Sequence, residues 1–263
     1  MTATRVSEVR RLKGLKNISW LTTRQLNKVA GALSVNLIEK RGQISDERDN
    51  SGCCYILLSG VARITCRNRK GRRAVVIMLA PGMIPSFPLP VAGIKYNFRC
   101  EAVTNCQIGT IDWGVFVEIC LGIGSADFKR LAANYVGRWD LVQLRCSNFM
   151  GCSLAERLAL ILLELSETFG VRDAEGMRLT VPARHKDLAE LVGASRPRVS
   201  EHLIEFEQKH LIMRRKRQLI VKRDRLEDFL SASHSQPKND SWASDGLADS
   251  FSRSSGKSGL ANA

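Results

Sequence analysis

The sequence predicts an α+β protein in three parts: an N-terminal β-roll of the jelly-roll kind, one long helix, and a C-terminal winged helix-turn-helix. Three observations predict this order. Short segments rich in β-forming residues, separated by glycine turns, fill residues 37–111. An apolar heptad repeat then runs through residues 128–149. Two amphipathic helices joined by a glycine, and then a basic hairpin, occupy residues 181–221.

Length and composition bound the protein before any motif is considered. The 263 residues are enough for two modest domains, and 44% of them are hydrophobic. No apolar run approaches the roughly 20 residues of a membrane span, and the first residues lack the apolar segment of a secretory signal. Eight cysteines without the paired spacing of a small disulfide domain suit a reducing compartment. We therefore expect a cytoplasmic protein without a membrane partner.

The net charge of +14 is unevenly distributed along the chain. Residues 151–230 carry 15 Lys and Arg against 13 Asp and Glu, so the C-terminal domain is nearly neutral overall. Most of the positive charge therefore lies before residue 150. Solubility and a general attraction to nucleic acid are the ordinary explanation of such an excess. The sharper alternative is an anionic effector, or DNA that wraps back against the N-terminal domain.

The N-terminal part divides into an arm and a roll. Residues 1–17 are basic and weakly patterned, which predicts a flexible arm, and residues 18–124 are expected to form the roll. The roll begins with a helix within residues 21–35, because apolar residues recur there at helical spacing. The segments that follow are strands that end at glycines or at the basic turn 69–72.

A long helix is expected across residues 125–150. Its apolar residues step alternately by four and three positions, which is the period of a helix that packs against a partner helix. The predicted seam consists of Phe128, Ala132, Tyr135, Trp139, Val142, Cys146 and Phe149. Packing of this helix against its own roll is the plainer alternative, but the heptad period favours a homodimer.

The C-terminal domain, residues 151–230, carries the clearest local pattern. Gly193 ends one short helix, and Ser195 can cap the next. Pro197 falls in the first turn of that second helix, where a missing N–H costs nothing. Two short strands flank the basic hairpin at residues 214–217. In a winged helix-turn-helix, the second helix enters the major groove of DNA by its N-terminal residues.

Both ends of this domain also have recognisable patterns. Gly151 offers a hinge between the long helix and a new amphipathic helix, Leu154 to Phe169. A last helix is expected at residues 226–230. Residues 231–263 are rich in serine and poor in apolar residues, which predicts a disordered tail.

The outward residues of the second helix and the wing are the expected DNA contacts. An arginine can fork onto the O6 and N7 atoms of guanine, whereas serines and wing cations suit phosphates. The expected contacts are Ser195, Arg196, Arg198, Ser200, Glu201, His185, Arg214, Arg215, Lys216 and Arg217. An ordinary solvated helix with incidental charge is the alternative. The glycine, the cap, the apolar spacing and the wing occur in the order that DNA binding requires.

The stretch DLAELVGASRPRVSEHL and the hairpin after it resemble CRP/FNR-type bacterial transcription regulators. The likeness extends upstream, through LLSG-VARI and a basic hairpin, over most of residues 30–230. It implies a cyclic-nucleotide-binding-like roll that senses an effector and a central helix that forms the homodimer. Double-stranded DNA is then the ligand, and RNA polymerase is a further partner.

The resemblance has two departures in the recognition helix. In that family a serine–arginine pair opens this helix, as Ser195 and Arg196 do here. A glutamate that contacts cytosine typically follows, where this chain has Pro197. A further arginine usually occupies the position of Glu201. The resemblance therefore implies the same binding mode but a different operator sequence.

The resemblance also bears on what the roll binds. Cyclic-AMP-responsive relatives hold the ribose with a glutamate and the phosphate with an arginine. When this sequence is aligned with those relatives on Pro81 and Gly82, neither the glutamate nor the arginine occurs at the corresponding positions. We therefore expect an unknown small-molecule effector rather than cyclic AMP bound in the family manner. The implied pocket consists of Ser86, Phe87, Tyr96, Asn97, Arg99, Val142 and Gln143.

Metal and catalytic chemistry find little support in the sequence. All four histidines follow residue 184, so the roll has no axial histidine for haem and only ligation by cysteine would remain; the cysteines also lack the C-x-x-C spacing of a cluster. Buried structural thiols are the default for the cysteines, and a thiol redox switch is the alternative. Without a nucleophile–base pair or a phosphate loop, we expect no enzyme and no haem, iron–sulfur or other metal site. The rival function is a nucleotide-binding signalling subunit that acts through protein contacts.

Overall fold

The computed structural model describes residues 9–15, 18, 21–46, 51–67, 69, 71, 73–83, 98–121, 140, 142–216 and 218–234. Within these ranges the strands form three antiparallel sheets, two in the N-terminal half and one in the C-terminal half. The predicted α+β class is confirmed. None of the helices in these ranges is long and apolar enough to cross a bilayer.

The N-terminal roll starts with helix α1 (Thr23–Ala32), which Thr22 caps through a reciprocal hydrogen bond with Gln25. Its strands are β1 (Ser34–Ile38), β2 (Gln43–Asp46), β3 (Cys53–Ser59), β4 (Ala62–Arg67), β5 (Arg73–Leu79), β6 (Phe98–Ala102) and β7 (Cys106–Asp112). One sheet has the order β1-β7-β3 and the other β2-β6-β4-β5. Gly60 turns β3 into β4 with a φ of 89°, where a Cβ would collide with the Asn105 carbonyl oxygen.

Two apolar clusters stabilise the roll. Leu57, Leu79 and Ile108 are buried between the two sheets. Helix α2 (Trp113–Leu121), which the sequence did not predict, packs with α1 over the other side of β3 and β7. Residues 9–13 are helical, and their Leu12 is fully buried in this second cluster. The expectation of a flexible arm is therefore wrong for these residues, because their apolar side chains complete a core.

The C-terminal domain begins with helix α3 (Leu154–Phe169), as predicted, and its helix-turn-helix consists of α4 (His185–Val192) and α5 (Arg196–Gln208). The remaining elements are the hairpin β8 (Gly170–Asp173) and β9 (Gly176–Leu179), the wing β10 (Ile212–Arg215) and β11 (Gln218–Val221), and helix α6 (Arg223–His234). The strands form one sheet of order β10-β11-β9-β8. The sequence did not predict the β8–β9 hairpin, and α6 extends beyond the expected residues 226–230 at both ends.

A helical segment at residues 142–151 leads into this domain. It breaks at Cys152, and Ser153 then caps α3: its hydroxyl accepts from the Glu156 N–H, and the Glu156 carboxylate accepts from the Ser153 N–H at 2.6 Å. The expected break next to Gly151 is thus present. The earlier seam residues, Phe128 to Trp139, lie outside the described residues, as does the tail beyond residue 234.

A shared apolar core joins the roll to the C-terminal domain. Val61, Val75 and Met78 of the roll are buried in the same cluster as Leu188 and Leu191 of α4. The first helix of the helix-turn-helix therefore packs directly on strand β5. This contact positions the helix-turn-helix relative to the roll.

Candidate nucleic-acid interface

The turn between α4 and α5 requires its glycine. Gly193 adopts the left-handed conformation at a φ of 66°, and the Ala194 N–H donates to the Ala189 carbonyl oxygen at 3.0 Å. A Cβ on Gly193 would also collide with the ring of Phe149, from the segment that enters the domain. Conformation and close packing thus both favour glycine at the position where the sequence predicts the turn.

Ser195 occupies the N-cap position of α5, but its side chain makes no capping hydrogen bond. The prediction is therefore right for the boundary of the helix and wrong for the bond. Pro197 lies in the first turn, as expected. Because the Ser195 hydroxyl is exposed and not used in the cap, it is available to a ligand at the start of the helix.

Helix α5 divides cleanly into a buried and an exposed face. Val199, Leu203 and Phe206 are buried against the rest of the domain. The exposed face at the start of the helix carries four of the predicted contacts, which are Ser195, Arg196, Arg198 and Glu201. Neither Arg196 nor Arg198 forms an ion pair within the part of the chain that the structure describes. Two unneutralised guanidinium groups thus lie on the exposed first turn of the helix.

Two other predicted contacts bind each other. The Nδ1 atom of His185, the first residue of α4, lies 2.6 Å from the Ser200 hydroxyl oxygen. That hydroxyl donates to the Arg196 carbonyl oxygen at 2.9 Å, so it accepts from the imidazole, and Nε2 of His185 is the ring atom left for a ligand. Burial lowers the pKa of His185, and the cations of Arg214 and Arg196 lower it further. The imidazole is therefore neutral at pH 7.

The wing is less cationic than its sequence indicates. Arg214 Nε lies 2.8 Å from a carboxylate oxygen of Glu207, and Arg215 lies 3.3 Å from Asp173. Lys216, at the turn, is exposed and has a positive φ of 58°. Arg217 lies outside the described residues. Arg214 and Arg215 thus have carboxylate partners within the domain, which offset part of their charge towards phosphates.

A groove of about 360 Å³ separates the wing from the two helices. Its walls include His185 and Arg184 on one side and Arg214, Lys216 and Gln218 on the other. The exposed start of α5, this groove and the wing turn together form one polar, positively charged surface. A polyanion is the ligand that such a surface suits.

The predicted effector pocket is only partly described. Ser86, Phe87, Tyr96 and Asn97 lie outside the described residues. Arg99, a further residue of the predicted pocket, forms an ion pair with Glu101 at 3.2 Å. On the central segment, Val142 is half-buried and Gln143 is exposed.

The described cysteines differ in their surroundings. Cys54, Cys100 and Cys106 are fully buried in the roll, as expected of structural thiols. Burial raises the pKa of Cys100 far above its ordinary value, and the neighbouring Cys106 and Glu101 raise it further. Cys146 is exposed on the central segment. Within the described ranges, no group of three His, Cys, Asp or Glu residues could hold a metal ion.

The described residues of the dimer seam are Val142, Cys146 and Phe149, of which Val142 is half-buried and the other two are exposed. Cys146 is exposed, whereas the ring of Phe149 lies against Gly193 and 5.1 Å below the guanidinium of Arg157. Phe149 therefore packs partly within its own chain, on the turn of the helix-turn-helix. The heptad pattern alone could not indicate this second contact.

Sequence reasoning missed two arginines that tie the domains together. Arg145, on the central segment, forms a forked ion pair with Glu164 of α3 at 2.6 and 2.7 Å and donates to the Val76 carbonyl oxygen of β5. Arg63, on β4, contacts Asp187 of α4 at 3.0 Å. We call these two arginines and their partners the domain junction.

Arg63 is surrounded by carboxylates from both domains. Besides Asp187, it lies 3.0 Å from Glu101 of the roll and 3.6 Å from Glu190 of α4. Burial raises the pKa of Glu190, although the Arg63 guanidinium opposes that change. Arg63 thus joins the two domains through Asp187 and Glu190, while Glu101 pairs with it within the roll.

Similarity to known proteins indicates what the surface formed by α5, the groove and the wing binds. Residues 156–229 match the Crp-like helix-turn-helix domain. The chain is 25% identical over 174 residues to the nitrogen fixation regulation protein FixK of Rhizobium meliloti, covering 65% of this chain and 74% of FixK. Residues 156–229 therefore form a Crp-like helix-turn-helix domain, and the chain is similar to CRP/FNR-type transcription regulators. The family resemblance proposed from the sequence is thereby confirmed.

Solved CRP/FNR-type structures share the fold. FixK2 from Bradyrhizobium japonicum superposes with a TM-score of 0.62 at 21% identity, covering 74% of this chain and 96% of that one. A variant of CooA from Carboxydothermus hydrogenoformans gives a TM-score of 0.63 at 17% identity, over 76% and 88% of the two chains. These structures confirm the predicted fold. The expected DNA-binding class of function is supported by the Crp-like helix-turn-helix match over residues 156–229.

Proposed function

We propose that this CRP/FNR-type regulator is a homodimer that recognises a specific operator through α5 and responds to a small molecule bound by its roll. The observation that carries the proposal is the exposed first turn of α5, where Arg196 and Arg198 have no carboxylate partner in the described part of the chain. Protein acids neutralise several other arginines of the domain, whereas Arg196 and Arg198 are among the described cations left for DNA.

Each part of the surface has a distinct role in this proposal. Arg196 forks onto the O6 and N7 atoms of a guanine, which gives sequence discrimination. The Ser195 hydroxyl and the Lys216 ammonium contact phosphates, which position the helix without selecting a sequence. His185 holds the start of α5 through its hydrogen bond with Ser200. Its remaining ring atom, Nε2, contacts the phosphate backbone of the DNA.

The dimer rests on the exposed apolar side of the central segment. Phe149 and Met150 are among the large apolar residues that remain exposed in a single chain. A partner helix along the predicted seam covers such a surface and places two recognition helices at half-sites one helical turn apart. Trp139→Glu should yield monomers that keep their secondary structure, because it brings two carboxylates together in a buried seam. An intact dimer in sedimentation would rule out this seam.

The effector and the remaining partners follow from the family. We infer a small molecule other than cyclic AMP bound in the family manner, with Ser86, Phe87, Tyr96, Asn97 and Arg99 as candidate contacts. RNA polymerase in the cytoplasm is the inferred protein partner. Mass spectrometry of small molecules retained by the natively purified protein tests the effector directly.

A gel shift with genomic fragments and excess competitor DNA tests the function as a whole. The protein should retain a specific subset of fragments, and Arg196→Ala should lose that selectivity. Arg24→Ala is the matched control, because Arg24 is an exposed arginine on α1 of the roll. A nucleotide-binding subunit that acts through protein contacts would retain no fragment selectively, and that result would reject the proposal.

A further inference from the structure

The face of α5 that lies opposite its buried side carries an unusual row of residues. Successive residues of a helix are rotated by about 100°, so the direction opposite Val199, Leu203 and Phe206 is well defined. Three exposed residues, one turn apart, lie in that direction: Pro197, Glu201 and Ile204. We call them the central stripe. Arg196 and Arg198 flank the stripe rather than belong to it.

Glu201 is the acidic residue of α5 that has no partner among the described residues. Glu205 lies 3.0 Å from His202 Nδ1, and Glu207 lies 2.8 Å from Arg214. No hydrogen bond or ion pair to the Glu201 side chain occurs among the described residues. An unpaired carboxylate that approaches DNA is repelled by the phosphates, so at this position it needs donors in the groove. The exocyclic amino groups of cytosine and adenine are the donors that the major groove offers.

Ile204 extends the argument to the neighbouring base pair. It is 52% exposed, although it is a large apolar side chain on a face that no described residue covers. Pro197 is the second exposed apolar residue of the stripe, one turn before Glu201. In the major groove, the apolar partner for such side chains is the methyl group of thymine. An apolar, acidic and apolar series therefore matches cytosine flanked by thymine better than it matches a guanine-rich site.

We propose that the central stripe determines the operator sequence: the Glu201 carboxylate accepts a hydrogen bond from N4 of a cytosine, and Ile204 packs against the methyl group of a nearby thymine. This inference rests on the proposed function, since it assigns base preferences to a helix already inferred to enter the major groove. It adds a specificity-determining residue that discriminates by an acceptor, whereas Arg196 discriminates by donors. A guanine, whose O6 and N7 are both acceptors, is then excluded at the Glu201 position.

The chemistry predicts that a substitution of Glu201 changes the preferred base and does not only weaken DNA binding. A glutamine amide has the shape of a glutamate but forms two hydrogen bonds to the N6 and N7 atoms of adenine. Glu201→Gln should therefore change the preferred base at one position of each half-site from cytosine to adenine, with about a tenfold change in relative affinity. Glu205→Gln is the matched control, because it removes the same charge from the same helix at a side chain already paired with His202.

The experiment is selection of bound sequences from a random DNA library with the full-length protein, its Glu201→Gln, Glu205→Gln and Ile204→Ala variants, and sequencing of the retained pools. The wild type and Glu205→Gln should enrich the same cytosine, Glu201→Gln should enrich adenine there, and Ile204→Ala should lose a neighbouring thymine. If the wild type enriches no common sequence, the proposed function itself fails. If it enriches an operator that Glu201→Gln also enriches unchanged, or that Glu205→Gln alters equally, the central stripe does not select bases. Circular dichroism confirms that each variant is folded.

Discussion

The domain junction and the first turn of α5 use the same residue type in opposite ways. At the junction, Arg63 and Arg145 are partly or largely buried and each meets carboxylates of another element. At the first turn of α5, Arg196 and Arg198 are exposed and have no such partner in the described part of the chain. The comparison teaches that positive charge in this sequence has two separable roles, one that holds domains and one that is left for a polyanion.

The wing contains both paired and unpaired cations within three residues. Arg214 and Arg215 are paired with Glu207 and Asp173, whereas Lys216 is exposed at the turn. A count of basic residues in the hairpin therefore overstates its charge towards DNA. The distinction between paired and unpaired cations, rather than the net charge, should predict which substitutions change DNA binding.

The largest expected effect is at the junction. Arg145→Met removes a side chain that is only 11% exposed and leaves the Glu164 carboxylate without its partner. We expect the free energy of unfolding to fall by about 3 kcal/mol, the cost of breaking a largely buried pair. Urea unfolding at a fixed protein concentration measures this loss, and Arg24→Met is the exposed control. A decrease in the free energy of unfolding below about 1 kcal/mol, as for a surface ion pair, would show that Arg145 does not hold the domains together.

A smaller effect separates the two kinds of wing cation. Lys216→Ala should weaken binding to operator and competitor DNA alike and reduce the slope of log affinity against log salt by about one, because one phosphate contact is lost. Arg214→Ala should change that slope less, since Glu207 already neutralises the guanidinium. Titrations of both variants with DNA at several salt concentrations measure these slopes. Equal slope changes for both variants would contradict the distinction drawn here.

The smallest expected effect is the dependence on pH. Burial and the cations of Arg214 and Arg196 hold the pKa of His185 below its ordinary value of 6.5 in the free protein. A phosphate beside Nε2 raises that pKa in the complex, so DNA binding takes up a proton. Affinity should therefore increase as the pH falls from 7.5 to about 5.5, by less than about tenfold. His185→Gln should flatten this dependence; an unchanged slope would place the titrating group elsewhere.

The helix-turn-helix was predictable because its signals are local. The left-handed Gly193, the apolar spacing of α5 and the proline in its first turn all lie within a few residues of one another. The strands of the roll were predictable for a similar reason, since turns such as Gly60 mark their ends. Each of these features constrains the backbone where it occurs, so no distant partner is needed to infer it.

The features that were missed depend on distant partners or weak patterns. Arg63 and Asp187 are 124 positions apart, so nothing in the sequence around either residue indicates their ion pair. The strands of the β8–β9 hairpin have four residues each, too few for a clear alternation. Helix α2 is a short apolar run, which periodicity alone does not distinguish from a strand. The buried Leu12 likewise gains its role from strands far along the chain.

The most direct test compares one arginine from each region on a single operator. Arg196→Ala and Arg63→Gln each remove a guanidinium group, and the ratio of operator to competitor affinity is measured for both and for the wild type. We expect Arg196→Ala to lower this ratio by about thirtyfold, equivalent to about 2 kcal/mol of lost guanine discrimination, and to relax the preference at one base. Arg63→Gln should keep the same base preference, because the residue holds the domains and does not contact DNA. An unchanged ratio for Arg196→Ala would contradict the assignment of α5 as the recognition helix.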